Sequence, residues 1–157
     1  MSNAFPPKSI LVPTDFSETA NSALAYGKKL ANLFNVPLHV LHVLQDPLIY
    51  VPPADGYAMQ PNYRKEAEKD ARRQLDERLA GIEGEHPQYQ LVVQWGAPFV
   101  EIIRYAKSHD IDLIVMGTHG RGAIAHLLIG SVAENVVRKS PCAVLTVRAS
   151  EHAFAMP

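Results

Sequence analysis

The feature that most constrains this chain is a strand that runs into a glycine-punctuated loop and emerges as a helix. Ile111-Asp112-Leu113-Ile114-Val115-Met116 is a short apolar run of the kind that lies buried in a parallel sheet. Gly117 closes it, and the glycines continue as Gly117-x2-Gly120-x9-Gly130-Ser131. Val132 to Lys139 then reads as a helix. The loop therefore delivers a helix N-terminus. That end carries N–H groups without intrahelical acceptors and the positive pole of the helix dipole, which suit an anion such as phosphate. Glycine matters there because it has no Cβ to hold the backbone away from a ligand. Ser131 with Glu134 also reads as a capping box, Ser-x-x-Glu, contributing on the order of 1 kcal/mol to the helix. That role needs no ligand, and both roles can hold together.

The remainder of the chain alternates strand and helix. Ser9 to Pro13 is a short apolar strand that proline terminates. A helix follows, with Asp15 or Ser17 as its cap, and Ala20, Ala23, Leu24, Gly27, Leu30, Ala31 and Phe34 at helical spacing. Pro37 to Val43 is the second strand. Gln45 to Pro61 is a Pro-rich loop, long for a compact domain. Asn62 to Gly81 is a charged helix with Ala67, Ala71, Leu75, Leu79 and Ile82 on one face. Tyr89 to Trp95 is the third strand, and Pro98 to Ser108 a helix with proline in its first turn. After the glycine loop and its helix, Pro141 to Val147 is the fifth strand, and a loose tail begins near Ser150. Strict alternation ending on a strand indicates an α/β domain with a parallel sheet. At 157 residues, one domain spanning the whole chain is expected.

Composition removes several function classes. With 15 basic and 16 acidic residues there is no basic excess to hold nucleic acid. No apolar run approaches the ~18 residues of a membrane span. One cysteine, Cys142, excludes an intramolecular disulfide and fits a reducing compartment; it reads as a core thiol. Met1 to Pro7 lacks the apolar region of a signal peptide, so a cytoplasmic protein is expected. Gly27-Lys28-Lys29 lies within a helix and lacks the hydroxyl of a phosphate loop. Gly117-x-x-Gly120-x-Gly122 runs in the wrong order for a dinucleotide fingerprint, and there is no Gly-x-Ser-x-Gly nucleophile elbow. The histidines show no metal spacing with cysteine. His39 and His42 fall on opposite faces of one strand and read as ordinary strand residues.

Three segments resemble the universal stress protein family in its ATP-binding branch. They are Ile10-Leu11-Val12-Pro13-Thr14-Asp15-Phe16-Ser17, Leu41-His42-Val43, and Met116-Gly117-Thr118-His119-Gly120 with Gly130-Ser131-Val132. The resemblance covers about residues 8–148. It implies an open five-stranded parallel sheet of order 3-2-1-4-5 with helices on both faces, Rossmann-like and similar to the adenine nucleotide alpha hydrolases. In that order the winding reverses between strands 1 and 4, where open α/β sheets bind ligands. The resemblance further implies an ATP site with Mg2+ or Mn2+ held mainly through the phosphates. Asp15 would lie by adenine and ribose, though it also reads as an N-cap only. Val43 and Met116 would touch the adenine ring; periodicity alone makes them core. Pro13, Thr14 and Val132 would complete the lining, with Gly117, Gly120, Gly130 and Ser131 at the ribose and phosphates. Arg121 reads equally as a phosphate donor and as a solvated loop residue. The expected activity is that of a nucleotide-dependent regulatory module in the stress response. The alternative is a slow ATP hydrolase or adenylyl-transfer enzyme, which would need a positioned base and a cation clamp that the motif does not supply. A homodimer through the last strand, Ala143 to Val147, is expected from its apolar edge and from the resemblance.

Overall fold

The computed structural model describes residues 5–46, 62–85, 87–119 and 129–148. Gly120, Arg121, most of the Pro-rich loop and the tail lie outside these residues. The elements run β1 (Ile10–Pro13), α1 (Glu18–Phe34), β2 (Leu38–Leu44), α2 (Tyr63–Ala80), β3 (Tyr89–Trp95), α3 (Pro98–Ser108), β4 (Leu113–Gly117), α4 (Ser131–Lys139) and β5 (Ala143–Val147). All five strands are parallel, in the order β3-β2-β1-β4-β5. The expected Rossmann-like sheet is present in its expected order.

Alternation along the strands divides the core into two layers. Ile10, Val12, Leu38, Val40 and Val115 pack with Leu24 of α1 and Leu75 and Leu79 of α2. Leu11, Leu41, Ile114 and Met116 face the other way, against Ile102 and Tyr105 of α3 and Val136 of α4. Helix α1 sits so close to β1 that a Cβ on Gly27 would come within 2.3 Å of the Val12 side chain. A helix-interior glycine weakens the isolated helix, and this contact is why one is placed here. Ser17 is the N-cap of α1, its hydroxyl accepting the Ala20 N–H. Asp15 is not the cap; its Oδ1 accepts the Ser17 N–H at 3.0 Å, one turn earlier.

Lys28 is 1% exposed within α1. Its ammonium is held by the carbonyl oxygens of Ile82 at 2.6 Å and Gly84 at 3.3 Å, just past the end of α2. A buried charge needs such partners, and the bonds tie α1 to the segment leading into β3.

Other details depart from the sequence reading. Ser131 is the first helical residue of α4, not its cap; Gly130 is the cap, and no side chain caps that helix. Glu134 pairs instead with Arg138 at 3.0 Å, one turn on. The capping box therefore does not form, because glycine at the cap places the serine one position too late. Cys142 is half-buried at the margin of the second core layer, its main-chain N–H donating to the Ser140 hydroxyl at 3.2 Å, and burial pushes its thiol up. In β5, Val147 turns into one core layer and Val144 packs against the other, so the exposed apolar surface expected there rests on Leu145, which is 39% exposed. Among the described residues no helix is long and apolar enough to cross a membrane.

Candidate functional site

Strands β1 and β4 are neighbours at the centre of the sheet, and their connections leave on opposite faces. Beyond their carboxyl ends opens a cleft of about 620 Å3, within the size range of small-molecule sites. Pro13, Thr14 and Asp15 enter it from the end of β1, and Met116 and Gly117 from the end of β4. Val43 lines it from β2, and Gly130, Ser131 and Val132 from the start of α4. Every expected site residue within the described segments thus reaches one cavity.

The backbone at the start of α4 is arranged for an acceptor. The first intrahelical bond runs from the Glu134 N–H to the Gly130 carbonyl at 2.9 Å. The N–H groups of Ser131, Val132 and Ala133 precede it, at the positive end of the helix dipole. All three residues line the cleft. Because the cap is a glycine, no side chain competes for these donors.

The loop that carries them is fastened at both ends by main-chain bonds. Thr118 donates its N–H to the Val147 carbonyl at 3.0 Å, and Gly130 donates to the Thr118 carbonyl at 2.6 Å. The Thr19 hydroxyl donates to the carbonyl of His119. Gly117 has a packing reason of its own. A Cβ there would lie 2.9 Å from the Thr19 carbonyl carbon and 3.1 Å from its oxygen. Its bare Cα admits the first turn of α1, whatever else it admits.

On the opposite wall, the β1 turn is held by its own side chains. Thr14 donates its N–H to Leu41 O at 2.9 Å, and its Oγ1 accepts the Phe16 N–H at 3.1 Å. The Asp15 carboxylate is anchored to Ser17 and still lines the cleft.

The profile of the universal stress protein family matches residues 7–148, almost the whole of the chain. The chain belongs to the universal stress protein family. A universal stress protein of Methanocaldococcus jannaschii is 29% identical over 155 residues, covering 90% of this chain and 94% of its own length. Among solved structures, universal stress protein UspA from Lactobacillus plantarum is 33% identical with a TM-score of 0.74, covering 90% of this chain and 97% of its own. The universal stress protein from Archaeoglobus fulgidus, solved in complex with dAMP, is 26% identical with a TM-score of 0.56, covering 88% and 96%.

In this universal stress protein the cleft also takes in residues that sequence reasoning did not assign. His42 lines it from β2, Ile102 from α3, and Thr118 and His119 from the loop after β4. Thr118 and His119 lay inside the glycine motif, between two assigned glycines, so the signal for them was present. His42 was read as an ordinary strand residue. Its ring nitrogen Nδ1 bonds the Thr14 carbonyl at 2.8 Å, and no spacing rule announces that contact. His39, on the other face, meets Tyr105 Oη at 2.8 Å and serves the α3 layer.

Proposed function

We propose that this universal stress protein binds an adenine nucleotide, ATP with Mg2+ or Mn2+, and works in the cytoplasm as a nucleotide-dependent regulatory module of the stress response. The observation that carries the reading is the cleft at the winding reversal, which combines the α4 donors with the Asp15 turn and the Val43 and Met116 side chains. The α4 N–H groups and Ser131 suit the phosphates. Asp15 supplies an acceptor for a ribose hydroxyl or the adenine amino group. Val43 and Met116 supply apolar contact to the base, with Pro13, Thr14 and Val132 completing the wall. Gly120 and Arg121 belong to the same motif and are assigned with it. The dAMP complex of the Archaeoglobus fulgidus relative supports an adenine ligand. The metal would be held through phosphate oxygens, as Mg2+ commonly is.

Calorimetry with ATP and GTP in Mg2+ tests the proposal. A dissociation constant of order micromolar for ATP, about −8 kcal/mol, is expected. No heat with millimolar ATP would sink the reading, and equal affinity for GTP would remove Asp15 and Val43 from the adenine role. Turnover in excess ATP against a protein-free blank decides whether slow hydrolysis accompanies binding.

The edge of β5 supports a homodimer in which Ala143–Val147 pairs with the same strand of a second copy. Leu145 is half-exposed on the sheet's outermost strand, and a bare edge invites pairing.

A further inference from the structure

Phe16 lies immediately after the cleft residues Thr14 and Asp15, and its backbone is left-handed at φ 66°. For an aromatic residue that conformation is an outlier, and such strain persists only where the surroundings enforce it. The surroundings here are two planar groups. The His42 ring stacks on one side of Phe16, with centroids 4.3 Å apart and planes 29° from parallel. The Arg78 guanidinium, from the last turn of α2, lies 5.0 Å from the Phe16 ring centroid. Arg78 is aimed by its bond to Asn21 Oδ1 of α1 at 3.0 Å, and its Nε is buried without a hydrogen-bond partner. His42 in turn bonds the Thr14 carbonyl. A carbonyl only accepts, so Nδ1 must carry the proton.

We propose that the His42–Phe16–Arg78 stack is the positioning device of the nucleotide site, holding the Thr14–Asp15 turn in place from the cleft wall at His42 back to Phe16 and Arg78. Neither Phe16 nor Arg78 lines the cleft; Phe16 is 7% exposed, beneath the turn. Their influence on a ligand is therefore indirect. Two elements meet the ring directly, β2 through His42 and α2 through Arg78, and α1 holds Arg78 through Asn21. The stack fixes where Asp15 presents its carboxylate, and the left-handed Phe16 follows from the need to hold the ring against both neighbours. This inference rests on the nucleotide reading given above.

The test is titration of ATP with Mg2+ into wild-type protein and into Phe16→Ala, Phe16→Gly and Arg78→Gln, each first shown to melt cooperatively. Glycine adopts positive φ without strain, so Phe16→Gly removes the ring and keeps the turn accessible. All three variants should fold and bind ATP about tenfold more weakly, on the scale of losing an aromatic or cation–π contact. The nitrogen-15 spectrum of His42 should show the Nδ1–H tautomer in wild type and its loss in Phe16→Ala. A purely structural role would lower the melting temperature and leave both the affinity and the tautomer unchanged. Wild-type affinity in Phe16→Gly or in Arg78→Gln overturns the stack and leaves the nucleotide reading standing. Absence of ATP binding in the wild type overturns that reading and this inference with it. If the Phe16 variants fail to fold, Arg78→Gln decides alone.

Discussion

Two glycines of one motif do different work. Gly130 caps α4 with φ −72° and ψ 155°, a backbone that valine also adopts. Gly130→Val should therefore fold normally and lose ATP binding, because its side chain would screen the helix donors. Gly117 sits against the backbone of Thr19, so Gly117→Ala should cost about 1–3 kcal/mol of stability through overpacking. Urea denaturation and ATP titration of both variants check the contrast; a Gly130→Val protein that binds ATP as wild type would make the motif structural throughout. A third residue, His39, reports on pH. Burial, followed by the charge of neighbouring His109, holds its imidazole below the usual value of 6.5. The unfolded chain then takes up the proton first as pH falls. The stability tied to neutral His39 is complete above 6.5 and is lost as pH drops from there through the lower folded value. Melting temperatures across that window should fall in wild type and fall less in His39→Gln, where Tyr105 keeps a hydrogen-bonding neighbour.

At the scale of elements, α4 shows how a local rule and a site can compete. The Ser-x-x-Glu pattern is genuine in sequence, yet the helix starts at Ser131 and leaves its first donors uncapped. Ser131→Ala should then change stability by no more than about 0.5 kcal/mol, as surface substitutions usually do, while weakening ATP binding. A drop near 1 kcal/mol in denaturant unfolding would restore the cap reading. The strands and helices were legible because their periodicity is strong: β3 and α3 have the ends their sequence signals mark, Tyr89–Trp95 and Pro98–Ser108. The strand order was not carried by periodicity, since an alternating pattern is compatible with several parallel orders; it came from the resemblance. The cleft was legible where glycines and the Pro13-Thr14-Asp15 turn mark it. It was not legible at His42, nor were the contacts of Phe16 behind the turn, because both depend on how β2, α2 and the β1 turn meet. Such long-range contacts leave no trace in local spacing.

The molecule as a whole has two unlike edges. Strand β3 ends one side of the sheet, with Trp95 donating to Glu68 of α2 at 2.7 Å. Strand β5 ends the other, with Ala143, Leu145 and Thr146 exposed. The proposed dimer would join two β5 edges about a two-fold axis, an arrangement that closes at two copies. Light scattering at tens of micromolar with ATP present should give twice the chain mass, and Leu145→Pro should halve it by disturbing the strand's pairing. A monomer in the wild type would refute the dimer without touching the cleft.

The loop after β4 is clasped by atoms that every residue type but one possesses. Its closing bonds, Thr118 to Val147 and Gly130 to Thr118, run from amide to carbonyl. Exchanging side chains between positions 119 and 129 leaves both bonds available, and only proline at position 118 or 130 would delete a donor. Lengthening that stretch is also cheap: with its ends already pinned, each doubling adds only about 0.6 kcal/mol of closure entropy. The start of α4 is thereby insulated from the side chains that precede it. Apart from Gly120 and Arg121, which the nucleotide proposal assigns to the site, changes of side chain in that stretch leave the same three donors held by the same two bonds.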